Sequence, residues 1–292
     1  VSNQLQQLTD NLWIAQSRFF FTNAGIFVSG DRAGLVDPNM TPGEIRRIRG
    51  FLDEHRLRTE WIVLTHYHWD HILGPELFPE AQVIGHRLLP AQLTGKSGAD
   101  TATAIERWEG ENGIERAHPF AFPTLDRLVD PPEPLMLGDL RLDLIHTPGH
   151  SPDQIAIYEP STAALWASDI LSDVEIPFVS DSLARFEETL ARLAELEIRV
   201  LVPGHGFPSS DPAAIHARIT EDRAYLAELR ERVERSIAAG ESVDEAVVRC
   251  ADMVYRHRDE NEIPHRRNVE SVYAELGGDA HPERVGWGRE YE

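Results

Sequence analysis

The sequence predicts an α+β chain in which two β-sheets, each covered by helices, pack face to face and an all-helical module follows. Three observations carry this expectation. From about Leu12 to Gly206, short apolar runs alternate with helical patterns. Within that stretch the order hairpin, aspartate, helix, strand, histidine occurs twice. From Asp211 onward the pattern is helical throughout. With 292 residues the chain is long enough to bury a substantial core. Its single cysteine, Cys250, excludes an internal disulfide framework and reads as a small core residue.

In the first round, Gly25–Ser29 and Leu35–Val36 flank Gly30-Asp31-Arg32-Ala33-Gly34, which reads as a hairpin turn. Thr41-Pro42-Gly43-Glu44 is a capping box with proline at the first helical position. Ile45, Ile48, Phe51, Leu52 and Leu57 then recur at helical spacing, and the buried-strand run Trp61–Leu64 leads into Thr65-His66. In the second round, Gln154–Tyr158 and Ala163–Ala167 read as strands and end at Ser168-Asp169. A helix from about Ser182 to Leu196 places Leu183, Phe186, Leu190, Leu193 and Leu196 on one face. The run Val200-Leu201-Val202 ends in Pro203-Gly204-His205, so Asp37 and His66 are matched by Asp169 and His205. The region Gly95–Pro134 is less regular, with helix around Ala102–Trp108 and a loop at Asp130-Pro131-Pro132-Glu133-Pro134. In the tail, one helix runs from Asp211-Pro212 to about Ala239. A second opens at Ser242 and reaches about His257, and a third spans about His265 to Leu276.

Composition removes several classes of function. The net charge is −21, with 49 acidic against 28 basic residues. Such a surface lacks the basic patch that displaces counterions from phosphates, so a nucleic-acid partner is not expected. A membrane partner is not expected for the same reason, and the longest apolar runs are far too short to cross a bilayer. The start VSNQLQQLTD has neither the basic residues nor the apolar stretch of a secretory leader. A cytoplasmic protein with a small-molecule substrate is expected, with a homodimer allowed.

The chemistry concentrates in Thr65-His66-Tyr67-His68-Trp69-Asp70-His71, where four candidate metal ligands fall within six residues directly after a strand. Imidazole and carboxylate donors together suit zinc and its first-row neighbours. In an extended segment His66 and His68 point the same way, and a turn into helix directs Asp70 and His71 to an adjacent place. Three further donors stand at strand ends or in tight turns: His150 in Thr147-Pro148-Gly149-His150, Asp169, and His205 between Gly204 and Gly206.

Together, His66-x-His68-x-Asp70-His71, His150, Asp169 and His205 resemble the seven-ligand signature of the metallo-β-lactamase superfamily over about Leu12 to Gly206. The resemblance implies a four-layer αββα sandwich with the site at one edge between the sheets. It assigns His66, His68 and His150 to one ion, Asp70, His71 and His205 to a second, and Asp169 to a bridge. The implied division is a catalytic domain over 1–208 and a helical module over 209–292. Asp37 resembles the family's supporting aspartate beside the site; taken alone, it reads equally as a strand cap. The cofactors implied are two divalent metal ions, zinc first, with iron or manganese as alternatives. The activity implied is hydrolysis of a small ester, thioester or lactone by a metal-bridging hydroxide, with Asp70 as ligand and proton shuttle. Two other readings stand beside it, a mononuclear-iron persulfide dioxygenase and a non-catalytic metal-binding signalling protein.

Residues around the site are expected to be mostly structural. Tyr67 and Trp69 alternate with the ligands and should face the core or the rim. Phe20, Phe21, Phe178 and Phe207 read as core rather than substrate contacts. His118 and His146 read as structural, and His265-Arg266-Arg267-Asn268 as a solvated helix start.

Overall fold

The computed structural model describes residues 5–278. The first four residues of the start read for a leader, and the end of the helical module at 279–292, lie outside the described residues. One sheet has seven strands in chain order: β1 (Gln6–Gln7), β2 (Leu12–Gln16), β3 (Asn23–Ser29), β4 (Arg32–Val36), β5 (Arg58–Leu64), β6 (Gln82–His86) and β7 (Arg127–Val129). Its first three pairings are antiparallel and its last three parallel. The second sheet contains β8 (Glu133–Leu137), β9 (Leu140–His146), β10 (Ile155–Glu159), β11 (Ala164–Ser168) and β12 (Val200–Pro203). Its order is β12-β11-β10-β9-β8, and β11–β12 is its one parallel pair among the described residues.

The period-2 alternation of side chains explains the layers. In β5, Trp61 and Val63 point to the space between the sheets, where they join Phe27, Leu142, Ile157 and Trp166. Ile62 and Leu64 point the other way and pack with Ile45, Ile48 and Leu52 of α1 (Pro42–Glu54) and Leu89 of α2 (Leu89–Gln92). The outer face of the second sheet, including Leu165, Ala167 and Leu201, is covered by α4 (Leu183–Leu193). The same buried cluster continues into α5 (Pro212–Ala238), α6 (Val243–Cys250) and α7 (Glu262–Glu275). The result is the helix–sheet–sheet–helix sandwich expected, with the C-terminal helices sharing the core of the second sheet.

Several boundaries differ from the expectation, each for a local reason. The first hairpin turn is only Gly30-Asp31, because Arg32, Ala33 and Gly34 pair with Ser29, Val28 and Phe27. Gly34 is in the strand because the Trp61 ring lies against it; a Cβ there would meet that ring at 2.2 Å. The irregular region holds an 18-residue helix, α3 (Gly95–Asn112), closed by Gly113 in the left-handed conformation. The proline-rich loop is shorter than expected, since Glu133 and Pro134 already pair with Leu144 and Asp143 in a strand at the edge of its sheet. Helix α6 stops at Cys250 rather than near His257. Beyond it Met253 is fully buried and Arg256 reaches the Ser172 carbonyl and Asp222, contacts that continued helix geometry does not provide. Helix α7 starts at Glu262, with Pro264 tolerated in its first turn. The capping boxes at Thr41 and Ser242 form as read.

Because α5 shares its buried face with the second sheet, Leu226→Ala should cost about 2–5 kcal/mol. Denaturant unfolding followed by circular dichroism should show one transition at a lower midpoint. Two separate transitions would mean that the tail has a core of its own.

Candidate metal centre

The site forms where strands of both sheets end on the same edge. Thr65-His66 leaves β5, His150 follows β9 after a turn, Asp169 follows β11, and His205 follows β12. Two of the parallel pairs, β4–β5 and β11–β12, each deliver an aspartate and a histidine, so Asp37 and His66 face the site from one sheet and Asp169 and His205 from the other. A short 3₁₀ turn at Trp69–His71 swings Asp70 and His71 behind His66 and His68.

All seven candidate ligands converge. The ligand atoms of His66, His68, His150 and Asp169 lie within 4.8 Å of one another, as do those of Asp70, His71 and His205. In the first group, His68 Nδ1 stands 2.9 Å from both His66 Nε2 and His150 Nε2. In the second, His205 Nε2 is 3.1 Å and His71 Nε2 3.5 Å from Asp70 Oδ2. The Asp169 carboxylate touches both groups. Its Oδ2 is 3.5 Å from His66 Nε2, 3.3 Å from His150 Nε2 and 3.4 Å from His205 Nε2, and its Oδ1 is 3.2 Å from His71 Nε2. Gly204 permits this placement, since a Cβ there would meet Asp169 Oδ1 at 2.1 Å.

The far nitrogens of four histidines are held from behind. His150 Nδ1 is 3.0 Å from the Phe178 carbonyl, and His205 Nδ1 is 3.0 Å from the Phe20 carbonyl. A carbonyl only accepts, so these rings carry their proton on Nδ1 and turn the Nε2 lone pair inward. His71 Nδ1 meets Asp37 Oδ2 at 2.9 Å, and His66 Nδ1 faces Thr65 Oγ1 at 3.1 Å. Asp37 also accepts from the Thr65 backbone N–H at 2.8 Å and from its hydroxyl at 2.6 Å. Fully buried, it both orients a histidine and caps the end of β5, so the two readings of this residue are one arrangement.

Charge follows the same division. Burial, with His71 adding to it, lowers the His66 pKa to about 4. Burial also pushes down on His71, but the carboxylates of Asp169, Asp70 and Asp37 outweigh it and hold that ring well above its ordinary value. For Asp70, burial alone would raise the pKa; His71 and His205 outweigh it and bring it to about 2. Asp169 is held well below the usual carboxylate range by the same two rings and His66 against the push of burial. The donor set fits divalent cations. Buried His71 Nε2 and Asp169 Oδ1 have no hydrogen-bond partner despite their 3.2 Å approach, and both face the centre of the cluster.

A cavity of about 880 Å³ opens onto the cluster, with His68, Asp70, His150, Asp169 and His205 in its lining. Tyr67 and Trp69 line it as well, and both also pack on the core, Tyr67 beside Ile72 and Trp69 beside Trp108. Phe20, Phe21 and Phe178 also line it, which corrects their reading as core; Phe207 packs on Phe21 with ring centroids 5.4 Å apart. The segment His265–Asn268 is not a solvated helix start. His265 is buried against Tyr225, Arg267 lines the cavity, and fully buried Asn268 accepts from the Val179 N–H at 2.7 Å and donates to the Pro177 carbonyl at 2.7 Å. Neither of the two extra histidines joins the cluster. His146 stacks on His86 at 4.3 Å and His118 is exposed. Sequence reasoning missed Glu175, which lines the cavity with an oxygen 3.9 Å from His205 Nδ1, and the face of α3 that forms one cavity wall. Neither carries a local signal, because each reaches the site through long-range packing.

Known proteins agree with this architecture. A "Beta-lactamase-like protein 2 homolog" from Caenorhabditis elegans is 25% identical over 73% of this chain and 67% of its own length. An "Atrochrysone carboxyl ACP thioesterase" from Aspergillus fumigatus is 26% identical over 63% of this chain and 50% of its own. The chain thus spans between half and two thirds of the length of these curated relatives. The crystal structure of a metallo-beta-lactamase family protein from Thermus thermophilus shares the fold with a TM-score of 0.67, covering 93% of this chain and 95% of that one at 22% identity. The family model of the metallo-beta-lactamase superfamily matches residues 17–205, from the Ser17 turn to the last candidate ligand, and the chain belongs to that superfamily.

Proposed function

We propose that this chain is a binuclear metal-dependent hydrolase of esters, thioesters or lactones. The observation that carries the reading is the Asp169 carboxylate, which touches both donor groups at the floor of a cavity. His66, His68 and His150 would hold one divalent ion, Asp70, His71 and His205 a second, and Asp169 would bridge them; zinc suits these donors best, with iron or manganese as alternatives. Two such ions, when bound, supply an acidified water and an electrophile for an acyl oxygen. The chain supplies the geometry. Inward-facing lone pairs on His150 and His205 are fixed by the Phe178 and Phe20 carbonyls, and His71 is fixed by Asp37. Asp70, whose carboxylate lines the cavity, would carry a proton to the leaving group. The relative named as a thioesterase points the same way. The units would be a catalytic domain over 1–208 and a helical module over 209–292 that closes the cavity.

Elemental analysis of the purified protein should find two divalent metal ions per chain; a single iron and no second metal would transfer the reading to persulfide oxidation. Asp169→Ala should fold normally by circular dichroism and lose more than about 100-fold in kcat/KM, because supporting partners alone are worth about 10- to 100-fold. Asp37→Asn should weaken metal retention by about 10- to 100-fold in a chelator competition. An Asp37→Asn protein with unchanged retention would reduce Asp37 to a strand cap. Chelation should abolish hydrolysis and lower the melting temperature, and zinc should restore both.

A further inference from the structure

The cavity is larger than a scissile bond requires. At about 880 Å³ it lies near the upper end of the roughly 300–1,000 Å³ of pockets that bury drug-sized ligands. Its walls are mainly apolar. On one side Phe20 meets Trp69 edge-on at 6.0 Å, and Trp69 rests on Trp108 at 4.9 Å, so this wall is backed by packed aromatic core. Ile176, Phe178 and Ile263 of α7 add further apolar lining. On α3 the small residues Ser97, Thr101 and Ala104 line the cavity beside Lys96, Asp100 and Arg107. The charged groups of the lining are mixed in sign; Lys96 Nζ, for example, is 2.6 Å from Asp100 Oδ2. Apart from the candidate ligands Asp70 and Asp169, Asp100, Glu175 and Glu260 are matched by Lys96, Arg107 and Arg267, which leaves no excess of either charge to select a ligand, whereas the aromatic walls do favour apolar surface.

Exposed apolar side chains stand at the cavity beside the exposed Lys96, His257 and Glu260. Phe21, Phe207 and Ile263 are 38%, 47% and 52% exposed, and the two phenylalanines lie against each other. Phe20 and Phe21 both have left-handed backbone, φ +53° and +52°, a conformation that non-glycine residues rarely adopt. That turn has two products. It aims the Phe20 carbonyl at His205 Nδ1, and it sets both rings at the cavity. Phe178 does the same for the other donor group, with its carbonyl on His150 Nδ1 and its ring in the lining. The residues that orient the two histidines through their backbones are therefore the residues that shape the pocket with their side chains.

We infer that the substrate carries a bulky apolar acyl group of about eight carbons or more, seated between Phe20, Trp69, Phe178 and Ile263, and that these side chains set acyl specificity. The inference rests on the hydrolase reading for the word acyl; the apolar pocket itself does not. Burial of each added methylene should raise kcat/KM by roughly two- to fourfold until the cavity is filled.

The test uses the metal-loaded full chain with p-nitrophenyl esters and acyl thioesters from acetyl to decanoyl, and follows tryptophan fluorescence during titration with 1-decanol and 1-butanol. Selectivity for decanoyl over acetyl of at least about 100-fold, together with saturable binding of 1-decanol but not 1-butanol, is the expected result. Phe178→Ala should cut the decanoyl-to-acetyl ratio at least tenfold with metal content unchanged, since its carbonyl remains. Ile263→Asp, at a half-exposed position that the fold tolerates, should lower the same ratio several-fold. Hydrolysis with no chain-length preference and no 1-decanol binding would overturn the inference and leave the hydrolase standing. Binding of 1-decanol without hydrolysis of any ester would keep the apolar pocket and reject the hydrolase.

Discussion

At one edge of the sandwich, five imidazoles and two carboxylates are gathered largely out of water, and such burial is costly unless their polar atoms meet a partner or a cation. The rest of the structure serves that constraint. Parallel pairs β4–β5 and β11–β12 bring two aspartates and two histidines to the same edge from opposite sheets. The small residues at Gly149 and Gly204 let backbone pass where a side chain would strike Phe186 or Asp169. Behind the candidate ligands, Asp37 and the carbonyls of Phe20 and Phe178 fix which nitrogen of His71, His205 and His150 faces inward.

The C-terminal helices belong to this support. Asn268 on α7 holds both Pro177 and Val179, and Asn261 holds Val174 and Ile176, so α7 clamps the segment whose Phe178 carbonyl orients His150. The tail therefore bears on the site in two ways, through Ile263 and Arg267 in the cavity wall and through the clamp beneath it. Its buried face merges with the outer layer of the second sheet, which ties cavity shape to the stability of the whole chain.

Much of this was legible in the sequence because the information is local. The His66–His71 cluster is contiguous, and His150, Asp169 and His205 each announce themselves by following an apolar run or sitting in a glycine turn. Two rounds of the same element order were enough to expect two stacked sheets. The pocket was not legible. Phe20, Phe21 and Phe178 look like ordinary core residues until two unusual φ values and two carbonyl contacts place them. The face of α3 and the asparagines of α7 act across separations of about eighty residues or more in several cases, where no periodicity connects them to the site. Helix ends depart from the sequence pattern for a related reason: at Cys250 tertiary hydrogen bonds from Arg256 outweigh a periodicity that would carry the helix further.

In the proposed centre one carboxylate, that of Asp169, would be shared by two metal ions. Anomalous X-ray diffraction from zinc-loaded crystals addresses it directly. The account predicts two peaks about 3.5–4 Å apart, one against His66, His68 and His150 and one against Asp70, His71 and His205, with Asp169 between them. A single peak at full zinc occupancy, or two peaks with Asp169 bound to only one, would contradict it.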